Sequence, residues 1–146
     1  MSLIFHLHFP LRAIANCSCS TMGPSKDYGQ NIAAGVKADN VSAVITELFY
    51  NGEVGLYENL YGQANPDMSN FEEWGHFSQI VWKASTKVGC ATVDCSQKGG
   101  LANVGGDVPA YFTVCNYQSQ GNFGGEYADN VKESRGDSTC HWDDGM

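Results

Sequence analysis

The stretch EEWGHFSQIVWKASTKVGC, residues 72–90, carries a histidine in a setting where it could do chemistry. His76 lies between Gly75 and Phe77, ahead of a run of apolar residues. An imidazole changes charge near neutral pH and can ligate a metal through either ring nitrogen. His76 is therefore a candidate base or ligand. The other reactive side chains are six cysteines. Cys90, Cys95 and Cys115 sit in or beside apolar, β-branched segments, Cys17 and Cys19 form a C-x-C, and Cys140 lies near the C-terminus. There is no C-x-x-C pair, and no cysteine pair is matched by a histidine pair, so the spacing is not that of a structural zinc site. Disulfides are the better reading, and they imply an oxidising compartment. No G-x-S-x-G elbow supports a serine nucleophile. Two N-x-[ST] sequons, at Asn16 and Asn40, are compatible with secretion.

These residues must be positioned by elements that the pattern partly reveals. DNVSAVITELFY (39–50) puts Val41, Val44, Ile45, Leu48 and Phe49 on one face at helical spacing, with Asp39 or Asn40 as N-cap and Gly52 and Gly55 ending the helix. Residues 57–75 read as loop because Asn65, Pro66, Asp67, Ser69 and Asn70 are turn formers. Three strands are predicted next: FSQIVW (77–82), KVGCATVDC (87–95) and AYFTVCNY (110–117), alternating or rich in β-branched and aromatic residues. SQKGGLANVGGD joins the last two as a glycine-rich hairpin connection. A helix followed by consecutive strands gives an α+β chain with a small antiparallel sheet.

The chain has 146 residues, enough for one domain with a core. Apolar residues make up 42% of it, a globular rather than a disordered composition. The formal net charge of −8, with only eight scattered Lys and Arg, argues against a nucleic-acid partner and against electrostatic attachment to anionic membranes. No run approaches the roughly 18 apolar residues of a membrane span. SLIFHLHFPLRAIA, followed by the Ala13-x-Ala15 pattern, is similar to a short signal segment, but no positive charge precedes it and His6, His8 and Pro10 interrupt it.

GHFSQIVWKASTKVGCATVDC, YFTVCNYQSQGN and EYADNV resemble, in order and separation, the signature blocks of the CAP superfamily. That superfamily comprises cysteine-rich secretory proteins, antigen 5 allergens and pathogenesis-related class 1 proteins, also called SCP/TAPS. DYGQNIAAG resembles its Y-G-E-N block, and the wording after Trp82 looks most like the fungal, Pry-like branch. The resemblance implies a three-layer α-β-α sandwich with the first helix missing or replaced. The resemblance covers about residues 15–131; without an internal repeat or long linker, residues 16–133 read as one domain, with a divergent segment 1–15 and a poorly ordered tail 134–146. The resemblance also implies secretion, a Cys90–Cys115 bridge, and a second bridge from Cys95 to Cys17 or Cys19.

Members of that family carry a cleft with two histidines and two acids. By resemblance His76 is the second histidine. Glu53 in FYNGEV is one acid, with Glu47 as the alternative because of an inserted glycine. Gln30 stands where the other acid falls, and STMGPSKDYG has no histidine, with Met22 or Gly23 nearest that position. A catalytic zinc needs about three protein ligands, and an acid–base pair needs two titrating groups. His76, Glu53 and the amide of Gln30 do not supply them, so the cleft is expected to be non-catalytic, with zinc or magnesium held weakly if at all. The bland reading of His76 is a half-buried residue hydrogen-bonded to Glu53 or backbone, holding helix to sheet.

YGQANPDMSNFEEWGHF sets Tyr61, Pro66, Met68, Phe71, Trp74 and Phe77 among turn residues. In the Pry-like branch the loop before Gly-His-Phe is implicated in sterol binding, and a flat ligand suits aromatic faces. The bland reading is that Trp74 and Phe77 anchor the loop to the core. A secreted, non-enzymatic, monomeric binder of a sterol or other apolar molecule is thus expected. A non-catalytic effector meeting a host or cell-surface partner is the second reading, and a metal-dependent hydrolase the third. On the first reading the loop and the His76 cleft are separate sites.

Overall fold

The computed structural model describes residues 28–101 and 107–134. The segment 1–15, Cys17, Cys19, Cys140 and nearly all of the tail from 134 therefore lie outside the described residues. Three antiparallel strands form the sheet: β1 (Gly29–Ala34), β2 (Lys87–Asp94) and β3 (Tyr111–Gln118), in the order β1-β3-β2. Both predicted strands flanking the glycine-rich connection are present, and they pair with each other, Cys90 opposite Cys115 and Thr92 opposite Thr113. β1 carries Gly, Gln, Asn and Ala and has little strand propensity. Its pairing with β3, Asn31 opposite Cys115, holds it in place, and the Asn31 amide adds bonds to Tyr117 Oη (3.2 Å) and His76 O (3.1 Å).

Residues 38–51 form one continuous helical stretch, α1, built of a 3-10 turn Ala38–Asn40, a short α segment Val41–Ala43 and a π-helical run Val44–Asn51. Neither Asp39 nor Asn40 caps it through a side chain; Asn40 has no side-chain cap bond, and Asp39 lies within the 3-10 turn. The π-helix corrects the expected apolar face. Its i→i+5 hydrogen bonds, of which Gly52 N–H to Glu47 O (2.9 Å) is the last, bring residues five apart onto one side. Val44 and Phe49 are buried accordingly, whereas Leu48 is 46% exposed. Gly52 ends the helix, and Gly55 lies inside the next 3-10 segment, Val54–Leu60.

The region expected to be loop is largely turned backbone, Val54–Leu60 and a kinked 3-10 segment Met68–Glu73. Asp67 starts the latter by accepting from Ser69 N–H (2.9 Å), and that bond, with the Ser69 hydroxyl, lowers its carboxyl pKa. FSQIVW is not a strand. Gly75–Ile80 is a short helix, α2. Its buried face includes the polar pair Ser78 and Gln79, which breaks the link between hydropathy and burial. Gln79 is satisfied by Gly121 N–H (3.0 Å) and Ser85 Oγ (3.1 Å). A last turn, α3 (Tyr127–Asn130), closes the chain.

Helices α1 and α2 cover the sheet face that carries Cys115 and Tyr117, with Val44, Phe49, Ile45 and Ile80 in that cluster. On the other face Cys95 packs with Phe112 and Val114 beneath Leu101. A third cluster of Val54, Tyr57, Trp74, Phe77, Trp82, Tyr127 and Val131 ties the turned segment to α2 and α3. Together these give the layered α+β architecture expected.

Two buried phenols in that third cluster set an alkaline limit. Burial pushes Tyr57 up to about 12, helped by repulsion from Tyr127 and Tyr61, and burial alone pushes Tyr127 up to about 12. Among the described residues, Tyr127 Oη finds no hydrogen-bond partner. A folded pKa above the unfolded value of about 10 means that the native state holds the proton longer. Stability is full below pH 10 and falls as pH rises towards 12. The slope is on the order of 1 kcal/mol per pH unit for each phenol. Urea midpoints at pH 9 and pH 11 check this; an unchanged midpoint would refute it.

Candidate functional site

The site is built where β1, α1 and α2 meet. Phe49, turned inward by the π-helix, stacks on the His76 ring with centroids 4.8 Å apart and planes 14° apart. Glu53, just past the end of α1, uses both oxygens: Oε1 lies 2.6 Å from His76 Nδ1 and Oε2 accepts from Phe77 N–H at 2.9 Å. A carboxylate only accepts, so Nδ1 carries the proton in this pair. The ring is thus fixed on one face and one edge, and its side chain is 35% exposed against 12% for Glu53. Of the two candidate acids, Glu53 is the partner. Glu47 is exposed and accepts from Asn51 Nδ2 at 3.3 Å.

His76 opens onto a cleft of about 240 Å³ lined by Gln30, Asn31, Phe71, Glu72, Gly75 and Asn122 as well. The amides around it are partly engaged internally. Gln30 Nε2 donates to Asn116 Oδ1 (2.8 Å), and Asn122 Nδ2 to Gly75 O (2.9 Å). Ser78 Oγ lies 2.7 Å from Asn122 Oδ1. Asn122 holds this place at φ 58°, in the left-handed region that asparagine tolerates better than most residues. Asn31, Asn122 and Phe49 were not singled out from sequence as cleft residues. Asn31 and Asn122 do fall inside the quoted YGQN and QGN blocks, while Phe49 gives only a core signal.

Both oxygens of Glu53 accept hydrogen bonds, one from His76 Nδ1 and one from the α2 backbone, an arrangement like that of a carboxylate orienting a histidine. Among the described residues, no three of His, Cys, Asp and Glu converge.

The predicted ligand-loop residues divide. Trp74 and Phe77 are each 2% exposed and Pro66 is buried, which corrects their assignment to a contact surface: they hold the segment to the core. Tyr61 is half-buried, with its ring edge-on to Tyr57 at 5.1 Å. Met68 and Phe71 remain outside, at 47% and 36% exposure. Phe71 stands edge-on to Trp74 at 5.1 Å and lies over Gly75, where an added Cβ would come within 2.7 Å of the ring. A larger residue there would have to push the partly exposed Phe71 ring aside. Phe71 lines the cleft of His76, so the exposed part of the loop adjoins the cleft. Cys90 and Cys115 form a disulfide directly behind it, while Cys95 is buried, with its expected partners outside the described residues.

With this geometry in place, the chain can be compared with known proteins. A model of the CAP, or cysteine-rich secretory protein, family matches residues 13–117. A probable pathogenesis-related protein of Arthroderma benhamiae is 52% identical over 109 residues, which is 75% of this chain and 34% of that protein. Protein PRY2 of Saccharomyces cerevisiae is 34% identical over 116 residues, 80% of this chain and 29% of that protein. Pathogenesis-related protein 1A of Nicotiana tabacum is 28% identical over 108 residues, 74% of this chain and 55% of that protein. The chain thus spans about a third of the length of the two fungal relatives.

Proposed function

Since the chain belongs to the CAP family of cysteine-rich secretory proteins, in its fungal Pry-like branch, we propose that it is a secreted, non-catalytic protein that binds a small apolar molecule of sterol type at the Phe71–His76 cleft. The observation that carries this reading is the pair of large apolar side chains, Met68 and Phe71, left exposed on a turned segment whose other aromatics are all in the core or half-buried. An exposed aromatic beside a concave site, on a rigid support, is a binding feature rather than a packing one. The non-catalytic part rests on the expenditure of Glu53 on His76 and on Gln30 in place of an acid. The extracellular part rests on relatives, such as the Candida albicans protein named Secreted protein RBT4, 33% identical over 108 residues, and on the Cys90–Cys115 bridge.

Binding of radiolabelled cholesterol in detergent tests the reading. Phe71→Ala is expected to weaken binding on the order of tenfold, because one large aromatic contributes roughly 1.5–3 kcal/mol on burial, and to leave the melting temperature nearly unmoved. Absence of cholesterol binding by the unaltered protein would overturn the proposal, as would a Phe71→Ala protein that binds normally per folded molecule.

A further inference from the structure

We infer that Asn40 is an attachment site for an N-linked glycan, added as the chain passes along the secretory route; the inference rests on the secreted part of the reading above. Asn40-Val41-Ser42 has the N-x-[ST] form with no proline in the middle. Among the described asparagines, only Asn40 begins such a triplet. A triplet alone is a weak signal. A glycan is bulky and polar, so it also needs an amide that the fold does not use and open solvent to occupy.

The fold provides both at Asn40. Other asparagines are employed in holding the chain together. Asn31 donates to His76 O and Tyr117 Oη, Asn51 to Glu47, Asn122 to Gly75 O and Asn130 to Glu126 O, while Asn116 accepts from Gln30. Asn40 stands where the 3-10 turn meets the α segment, a position at which asparagine commonly caps a helix through its side chain. It makes no cap bond, and its side chain has no other hydrogen bond among the described residues. The turn is closed instead by its backbone, Asn40 N–H donating to Lys37 O at 3.0 Å. Asn40 and Ser42 are both exposed. The amide that would carry the sugar and the hydroxyl that a transferase reads are thus free of structural duty.

The position also keeps a glycan away from the cleft. Phe49 and Glu53 lie at the other end of α1. Phe49 is nine residues beyond Asn40, roughly 13 Å along a helix axis at about 1.5 Å per residue. The transfer itself involves no redox change. Asn40 Nδ2 bonds to C1 of the first N-acetylglucosamine of a lipid-diphosphate oligosaccharide. The C1–O bond to the diphosphate breaks, the lipid diphosphate leaves with the electron pair, and the nitrogen gives up one proton.

The experiment expresses the full chain in yeast behind a cleavable secretion leader. Protein from the medium is reduced and digested with trypsin, before and after treatment with peptide-N-glycosidase F. Cleavage at Lys and Arg puts Asn40 in peptide 38–83 and Asn16 in peptide 13–26, so the two sequons are read apart by mass. Peptide 38–83 is expected to carry a glycan that the glycosidase removes, converting Asn40 to aspartate. Ser42→Ala, which leaves Asn40 in place, should abolish the modification, and Ser42→Thr should retain it. Secreted protein with an oxidised Cys90–Cys115 bridge and an unmodified peptide 38–83 would overturn the inference and leave the secreted reading standing. A glycan on Asn16 alone, or one on peptide 38–83 that survives Ser42→Ala, would overturn it too. Retention of the unaltered protein inside the cells despite the leader would overturn both.

Discussion

Trp74→Ala is expected to lower folding stability by roughly 3–5 kcal/mol, the usual cost of truncating a large buried aromatic. The indole is 2% exposed and is met edge-on by Tyr57 at 5.3 Å, Phe71 at 5.1 Å and Tyr127 at 5.7 Å. Tyr127 in turn meets Trp82 at 5.1 Å, so one indole joins rings of the turned segment to α3 and, through Tyr127, to Trp82 just past α2. Truncation leaves a cavity bounded by rigid rings that cannot collapse into it. On a domain of this size the melting temperature should fall by on the order of 10 °C. Phe71→Ala, only three residues away but 36% exposed, should cost about 1 kcal/mol or less. Differential scanning calorimetry of the two variants separates a fold aromatic from a ligand aromatic. Equal losses would mean that the division of the segment is wrong.

That division was beyond the sequence. Tyr61, Pro66, Met68, Phe71, Trp74 and Phe77 share a composition that hydropathy cannot split, and turn-forming neighbours made all of them look available. Which ones point inward depends on the kinked 3-10 backbone and on Gly75 admitting the Phe71 ring. The strand reading of 77–82 failed for a related reason. Phe77, Ile80 and Val81 stand at a helical i, i+3, i+4 spacing, and the strand reading passed over it because the polar Ser78 and Gln79, which the structure buries, looked like outward-facing positions. Leu48 misleads in the opposite way, since a spacing of 3.6 puts it inward and the π-helix turns it out. By contrast β2 and β3 were legible, because their β-branched and aromatic residues fill both faces of a sheet whose middle strand is β3. His76 was also legible as a residue, but its role depended on Glu53, whose match was ambiguous until the ring and the carboxylate were seen 2.6 Å apart.

Loss of the Cys90–Cys115 bridge is expected to have an effect of similar size by a different route. The two cysteines face each other across β2 and β3, 25 residues apart in the chain. Closing a loop of that length in the unfolded chain accounts for about 3–4 kcal/mol in the chain-entropy model. Cys115 is fully buried against Val44, Phe49 and Tyr117, so substitution at that position also disturbs the layer that supports His76. The double variant Cys90→Ala/Cys115→Ala should therefore unfold at a markedly lower urea concentration than the oxidised protein. The unaltered protein in reductant should move in the same direction, and further than the double variant where a bridge from Cys95 is opened as well. Strand pairing and the β1–β3 register do not depend on the bridge, so whatever fraction remains folded should keep the Phe49–His76 stack and the cleft intact. Urea midpoints for the three samples, with ligand binding normalised to folded protein, decide the matter. A reduced protein that unfolds at the oxidised midpoint would show that the bridge contributes nothing to stability.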